Sequence, residues 1–91
     1  MITASVTHEG RAFSVRIANG EAFDLVARGS DGAVLWKARL STPYYCVGEA
    51  SIHALPGGGV EVRATGAHVK DDSVREHVWR YSRDGALVSG P

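Results

Sequence analysis

The chain contains Asp31-Gly32-Ala33-Val34 and, near its C-terminal end, Asp84-Gly85-Ala86-Leu87, and each of these stretches joins two strand-like runs. An Asp-Gly pair between alternating apolar residues is a strong hairpin signal, and it predicts a type I′ turn in which both central residues have positive φ. A second similarity lies upstream, because residues 5–16 and 51–63 each hold two strand-like runs that flank a glycine turn. We therefore predict one domain, residues 1–91, built from two related units at about residues 1–42 and 50–91.

Strand patterns extend along most of the chain. Phe13, Val15 and Ile17 point to one face of a strand, while the residues between them point to the other face. The glycines interrupt every window that is long enough for a three-turn helix. The predicted strands lie at residues 2–8, 12–18, 22–28, 33–40, 51–55, 60–64, 76–82 and 86–89, with a further short run at 44–47. The sequence therefore predicts an all-β fold, an antiparallel meander of about eight strands in two four-stranded units.

Three stretches resemble the repeats of bacterial β-propellers. Residues 51–62 are similar to the outer half of a propeller blade, and residues 78–87 resemble the partner half, in which an aromatic and basic strand meets an Asp-Gly turn. Residues 27–36 resemble the corresponding turn of quinoprotein-type propeller repeats. The resemblance covers about half of the chain and implies two blade-like units.

The arrangement of the two units has three solutions. A propeller needs about four to eight blades, so propeller-like blades require several chains to close a ring. A sandwich or a barrel is complete within one chain and costs no association entropy. We therefore expect a sandwich or a barrel ahead of a ring of propeller-like blades.

Composition narrows the classes of partner. Lys and Arg together number 10, as do Asp and Glu, so the formal net charge is zero. A nucleic-acid-binding domain normally has a strong basic excess, so no nucleic-acid partner is expected. The single cysteine, Cys46, cannot form an internal disulfide, which indicates a reducing compartment. No signal-peptide pattern and no apolar run of about 18 residues is present, so we expect a cytoplasmic protein without a membrane partner.

No catalytic or metal-binding constellation is recognisable. The four histidines lack the paired spacing of a zinc site, and no Ser-His-Asp or Cys-His arrangement can be placed by spacing. Cys46 is interpreted as a small buried hydrophobic residue. The glycine run 57–59 precedes a strand rather than a helix, so it predicts a hairpin turn and not a phosphate-binding loop. We therefore expect no enzymatic activity, no catalytic residue, no metal site and no cofactor.

Aromatic and charged side chains supply the candidate binding residues. Trp, Tyr and Arg are enriched at binding hot spots, and the polar stretch 65–75 is predicted to be a long irregular loop. Basic side chains are also predicted on the strands, most of them on faces opposite the apolar residues, at Arg16, Arg28, Lys37, Arg39, Arg63 and Arg80. The alternative interpretation is that the large aromatic residues form the core of a small domain. The candidate binding residues are Trp36, Lys70, Asp71, Asp72, Arg75, His77, Trp79 and Tyr81.

These patterns favour a small non-enzymatic binding or assembly module that acts through protein–protein contacts or self-association. A first alternative is an inhibitor or immunity-type protein that binds one protein partner. A second alternative is a carbohydrate-binding lectin of two-blade protomers, in which Trp36 and Trp79 would line a site for a glycan or another small ligand.

Overall fold

A computed structural model describes residues 2–19, 22–42 and 44–90 of the chain. All regular structure in these ranges is β-strand, as the alternation of apolar and polar residues predicts. The strands are β1 (Ile2–His8), β2 (Arg11–Asn19), β3 (Ala22–Arg28), β4 (Val34–Ser41), β5 (Tyr45–Ala54), β6 (Val60–His68), β7 (Val74–Tyr81) and β8 (Leu87–Ser89).

The strands form two antiparallel four-stranded sheets, in the orders β1-β2-β3-β4 and β5-β6-β7-β8. Within each sheet, every strand pairs with its neighbours in sequence, so each sheet is a simple meander. The predicted all-β fold of two related four-stranded units is therefore confirmed. The two sheets do not close into a barrel. The resemblance to propeller blades stays a prediction.

The two sheets share one apolar core. Alternating residues of β2, β3 and β4 pack against alternating residues of β6 and β7, because each sheet has its apolar residues on the face toward the other. β1 lies beside β5 at one edge of the structure. At the other edge, the Trp36 ring stacks on Tyr81, with 5.9 Å between the ring centroids. The buried apolar side chains of the core are Phe13, Val15, Phe23, Leu25, Ala27, Leu40, Ile52, Val60, Val62, Ala64, Trp79 and Tyr81.

The two Asp-Gly turns share one geometry, but it is not the predicted type I′ turn. Gly32 and Gly85 have φ of 85° and 90°, whereas neither Asp31 nor Asp84 has a positive φ. In the first turn the Gly32 N–H donates to the Gly29 carbonyl at 2.9 Å, and the equivalent bond in the second turn is 3.1 Å long. Each loop is therefore a three-residue turn that ends in a left-handed glycine and forms a bulge.

The β1–β2 hairpin has the backbone angles that were expected at the Asp-Gly pairs. Its two central residues, Glu9 and Gly10, have φ of 50° and 76°. Positive φ at both positions is what a type I′ turn requires, because this turn matches the right-handed twist of the flanking strands.

Sheet two begins earlier and contains longer strands than predicted. β5 starts at Tyr45 and continues through a bulge between Val47 and Glu49, so the short run 44–47 and the strand 51–55 are one strand. Most of the predicted loop 65–75 belongs to β6 and β7, and only residues 69–73 connect them. Cys46 is exposed, so its assignment as a buried residue was wrong.

Candidate functional site

The outer surface of the first sheet carries four basic side chains in three cross-strand rows. Paired residues on one face of an antiparallel sheet are direct neighbours, so the strand register brings side chains from three strands together. The rows are Arg16–Asp24–Arg39, Ser14–Val26–Lys37 and Ala12–Arg28–Val34. We call this surface the basic face.

A shallow hollow of about 140 Å³ lies in the basic face. Its floor includes Val26, which is buried although it points away from the core between the sheets. Val34 adds an exposed apolar group to the lining. Arg16, Arg28 and Lys37 surround these two valines. The hollow therefore combines an apolar floor with a cationic rim.

Most positive charges of the basic face have no ion-pair partner among the described residues. Asp24 is the carboxylate of these rows, and its Oδ1 accepts a hydrogen bond from Arg39 Nε at 2.9 Å. Arg28 donates to the Gly32 carbonyl at 3.1 Å, which holds its side chain without neutralising its charge. Arg16 and Lys37 form no ion pair with the residues that the structure describes. Two cations are therefore available to an anionic partner.

The outer surface of the second sheet, which we call the acidic face, has the opposite balance. It carries the carboxylates Glu49, Glu61 and Glu76 and the cations Arg63 and Arg80. A hollow of about 150 Å³ lies between Glu49, Arg63 and Glu76. Within the described part of the chain, Glu49 forms no ion pair.

Both cations of the acidic face are held by its carboxylates. Glu61 is buried, and its two oxygens accept hydrogen bonds from Arg63 Nε at 2.6 Å and from Arg80 Nε at 2.8 Å. The hydrogen bond from Arg63 is the largest influence on the carboxyl group of Glu61 and lowers its pKa below the usual value. Glu76 accepts a further bond from Arg63 at 3.2 Å. The network uses its cations internally and leaves an excess of negative charge.

The aromatic residues predicted to bind a ligand lie between the sheets. Trp79 is only 4% exposed, Tyr81 is buried beside it, and Trp36 is half-buried. The Trp36 Nε1–H donates to the Arg83 carbonyl at 2.8 Å, and its ring lies 6.1 Å from Phe13. These contacts account for the three rings as core residues, and a role in binding stays a prediction.

His77 belongs to an aromatic group at one end of sheet two. Its ring lies 4.7 Å from Tyr45 and 6.0 Å from Trp79, and only 6% of its surface is exposed. The buried Nδ1 atom has no hydrogen-bond partner among the described residues. Burial is the main reason that its pKa is lowered, and the nearby charge of Arg75 acts in the same direction. His77 is therefore a neutral side chain at neutral pH.

The four charged candidates Lys70, Asp71, Asp72 and Arg75 lie in or beside the β6–β7 turn and are exposed. Asp71 Oδ1 accepts hydrogen bonds from the backbone N–H and the hydroxyl of Ser73, and the backbone bond is the main cause of its lowered pKa. These bonds complete a local turn. The turn adjoins the His77 end of the aromatic group, because the charge of Arg75 is close enough to His77 to lower its pKa.

The sequence pattern predicts the basic residues on strand faces but does not indicate the hollow that they form. The useful signal was available in Val26, an apolar residue on the polar side of β3 between Asp24 and Arg28. Such a residue marks a place where polar side chains cover an apolar floor.

The chain matches no family model, and no characterised protein or solved structure is significantly similar to it. In the described ranges, no group of three or more His, Cys, Asp or Glu side chains has the arrangement of a metal site. The same ranges contain no helix with the length and apolarity that crossing a membrane requires.

Proposed function

We propose that this chain is a non-enzymatic protein-binding module whose basic face binds an acidic surface of a protein partner. The observation that carries the proposal is the pair of cations, Arg16 and Lys37, that form no ion pair with a described residue and lie beside a hollow with an apolar floor. Opposite charges across an interface guide the encounter and select the partner, and burial of apolar atoms adds affinity.

A protein fits this surface better than a nucleic acid does. The floor and lining formed by Val26 and Val34 suit an apolar side chain, whereas a phosphate backbone is bound mainly through charge. The formal net charge of zero also gives no long-range attraction for a polyanion. We place the binding in the cytoplasm, where an exposed unpaired thiol such as that of Cys46 stays reduced.

The test is capture of partners from a native lysate by the wild-type chain and by the variant Arg16→Glu/Lys37→Glu. The matched control is Arg83→Glu, which reverses a charge in the β7–β8 turn and outside the basic face. The proposal expects a stoichiometric protein that the wild type and the control retain and the double variant loses. The purified partner should then bind at least about tenfold more weakly to the double variant. Equal capture by all three chains, or no stoichiometric protein with any of them, would overturn the proposal.

A further inference from the structure

We call one face of each sheet its front and the other its back, so that structurally equivalent faces of the two sheets have the same name. The apolar face of sheet one (β1–β4) is its front, and it packs against the back of sheet two (β5–β8). The two Asp-Gly turns define equivalent positions in the two sheets. The Ala27–Trp36 pair beside the first turn corresponds to the Arg80–Ser89 pair beside the second turn. Trp36 faces the second sheet, whereas Ser89 contacts Arg80 on the acidic face. The acidic face is therefore the structural equivalent, in sheet two, of the apolar face of sheet one.

The remaining faces correspond in the same way. β1 lies beside β5, and Trp36 near the first turn lies over Gly85 in the second turn. The two meanders thus run in the same direction and have their turns at the same end. The back of sheet two packs against sheet one, and the equivalent back of sheet one is the basic face. A second copy placed with the same relation would bring its basic face onto the acidic face of the first copy.

From this relation we infer that the partner of the basic face is a second copy of the chain, bound through its acidic face. The inference rests on the proposed function, since it names the partner of the same surface. Charge complementarity supports it: Arg16 and Lys37 have no carboxylate partner among the described residues, and Glu49 has no cation. The formal net charge of zero means that no overall repulsion opposes contact between copies.

The geometry determines the type of assembly. The two surfaces that meet are different, so each copy keeps one free basic face and one free acidic face. Contacts of this type are heterologous, and they form a ring if the rotation between copies closes and an open filament if it does not. A symmetric dimer would instead bury the same face of both copies and would place Arg16 and Lys37 against their own counterparts.

Two double reversals test the inference in solution. Arg16→Glu/Lys37→Glu changes the basic face, and Glu49→Lys/Glu76→Lys changes the acidic face. Each variant has two faces of like charge and should stay monomeric in analytical ultracentrifugation. An equimolar mixture of the two variants should associate, because the unchanged acidic face of the first variant meets the unchanged basic face of the second.

The wild type should associate with increasing protein concentration at about 10 mM salt and dissociate at about 1 M salt. The reason is that charges attract over a Debye length of about 30 Å at the lower salt concentration but only about 3 Å at the higher one. The control Arg83→Glu should associate like the wild type. Circular dichroism establishes that all variants are folded. A monomeric wild type at low salt, variants that associate as the wild type does, or a mixture that stays monomeric would each overturn the inference.

The experiment also separates this inference from the proposed function. A monomeric wild type that still captures a different protein through Arg16 and Lys37 would contradict the second-copy assignment and leave the proposed function in place. Binding of a labelled DNA duplex that is lost in Arg16→Glu/Lys37→Glu would contradict both, because it would assign the basic face to a nucleic acid.

Discussion

Replacement of Trp36 with alanine tests whether this ring joins the two sheets or serves a ligand. Trp36 comes from the first sheet but stacks on Tyr81 of the second, and its indole N–H bonds to Arg83 at 2.8 Å. Gly85 lies so close beneath the ring that an added Cβ would be 2.9 Å from it. Trp36 therefore contributes packing, a hydrogen bond and an aromatic contact between the sheets.

The magnitude follows from these contacts. Truncation of a core Phe or Trp to Ala costs about 3–5 kcal/mol, and the half-buried position of Trp36 puts Trp36→Ala at about 3 kcal/mol. Trp36→Phe keeps a ring and should cost about 1 kcal/mol, mainly from the lost hydrogen bond. A domain of 91 residues has a free energy of unfolding of about 5–14 kcal/mol, so the alanine variant should fold but unfold easily.

Urea denaturation followed by circular dichroism measures these values. We expect a lower midpoint with an unchanged slope for Trp36→Ala, and a decrease in melting temperature of roughly 12–24 °C, since each kcal/mol corresponds to about 4–8 °C. The matched control is Leu35→Ala on the same strand. The Leu35 residue is 47% exposed, so its truncation should cost less than about 1 kcal/mol. A loss below about 0.5 kcal/mol for Trp36→Ala would refute the structural assignment and return Trp36 to the candidate binding residues.

Three further predictions concern buried positions. Gly59→Ala should destabilise the fold by about 1–3 kcal/mol in urea denaturation, because the new Cβ would collide with the Tyr81 carbonyl. The control Gly48→Ala, whose new Cβ would have nothing within 4 Å, should change stability by less than about 1 kcal/mol. Equal effects of the two substitutions would contradict this prediction. Burial raises the pKa of Tyr81 in the folded state. Its contribution to stability is therefore present below the unfolded pKa near 10 and is lost as pH rises through the higher folded pKa. Ultraviolet titration should show a late phenolate step that Tyr81→Phe removes. Burial lowers the pKa of His77 in the folded state. Its contribution to stability should therefore be fully present above about pH 6.5 and be lost as pH falls toward the lower folded pKa. His77→Gln should reduce the loss of melting temperature between about pH 7.5 and pH 5, and an unchanged loss would contradict the prediction.

The strands were predictable where alternation was regular and less so where packing overrides it. Phe13 and Val15 alternate with polar neighbours, so β2 was found nearly to its ends. β6 continues through Gly66, although glycine is disfavoured in strands, because Gly66 leaves room for Tyr45 and His77 on the core side. Contacts between distant segments decide that extension.

The internal sequence similarity correctly predicted two units of the same architecture, but it matched residues that do not lie on equivalent faces of the two sheets. Val15 and Val62 resemble each other in sequence context, yet in the stacked sheets one lies on the front of its sheet and the other on the back. Both are buried because the two faces share one core. The candidate site could not be derived in this way, since the hollow at Val26 depends on the register of three strands.

The length of β8 has a consequence for aggregation. β8 pairs with only the last two residues of β7, Arg80 and Tyr81, so the described part of β7 before them has an open backbone edge. Open edges recruit strands from other molecules and can start fibrils unless charges interrupt the edge. Arg75 and Glu76 are exposed on this stretch and serve as such charges. Their charges oppose the addition of a strand from another molecule at this edge, which lowers the tendency of β7 to start a fibril.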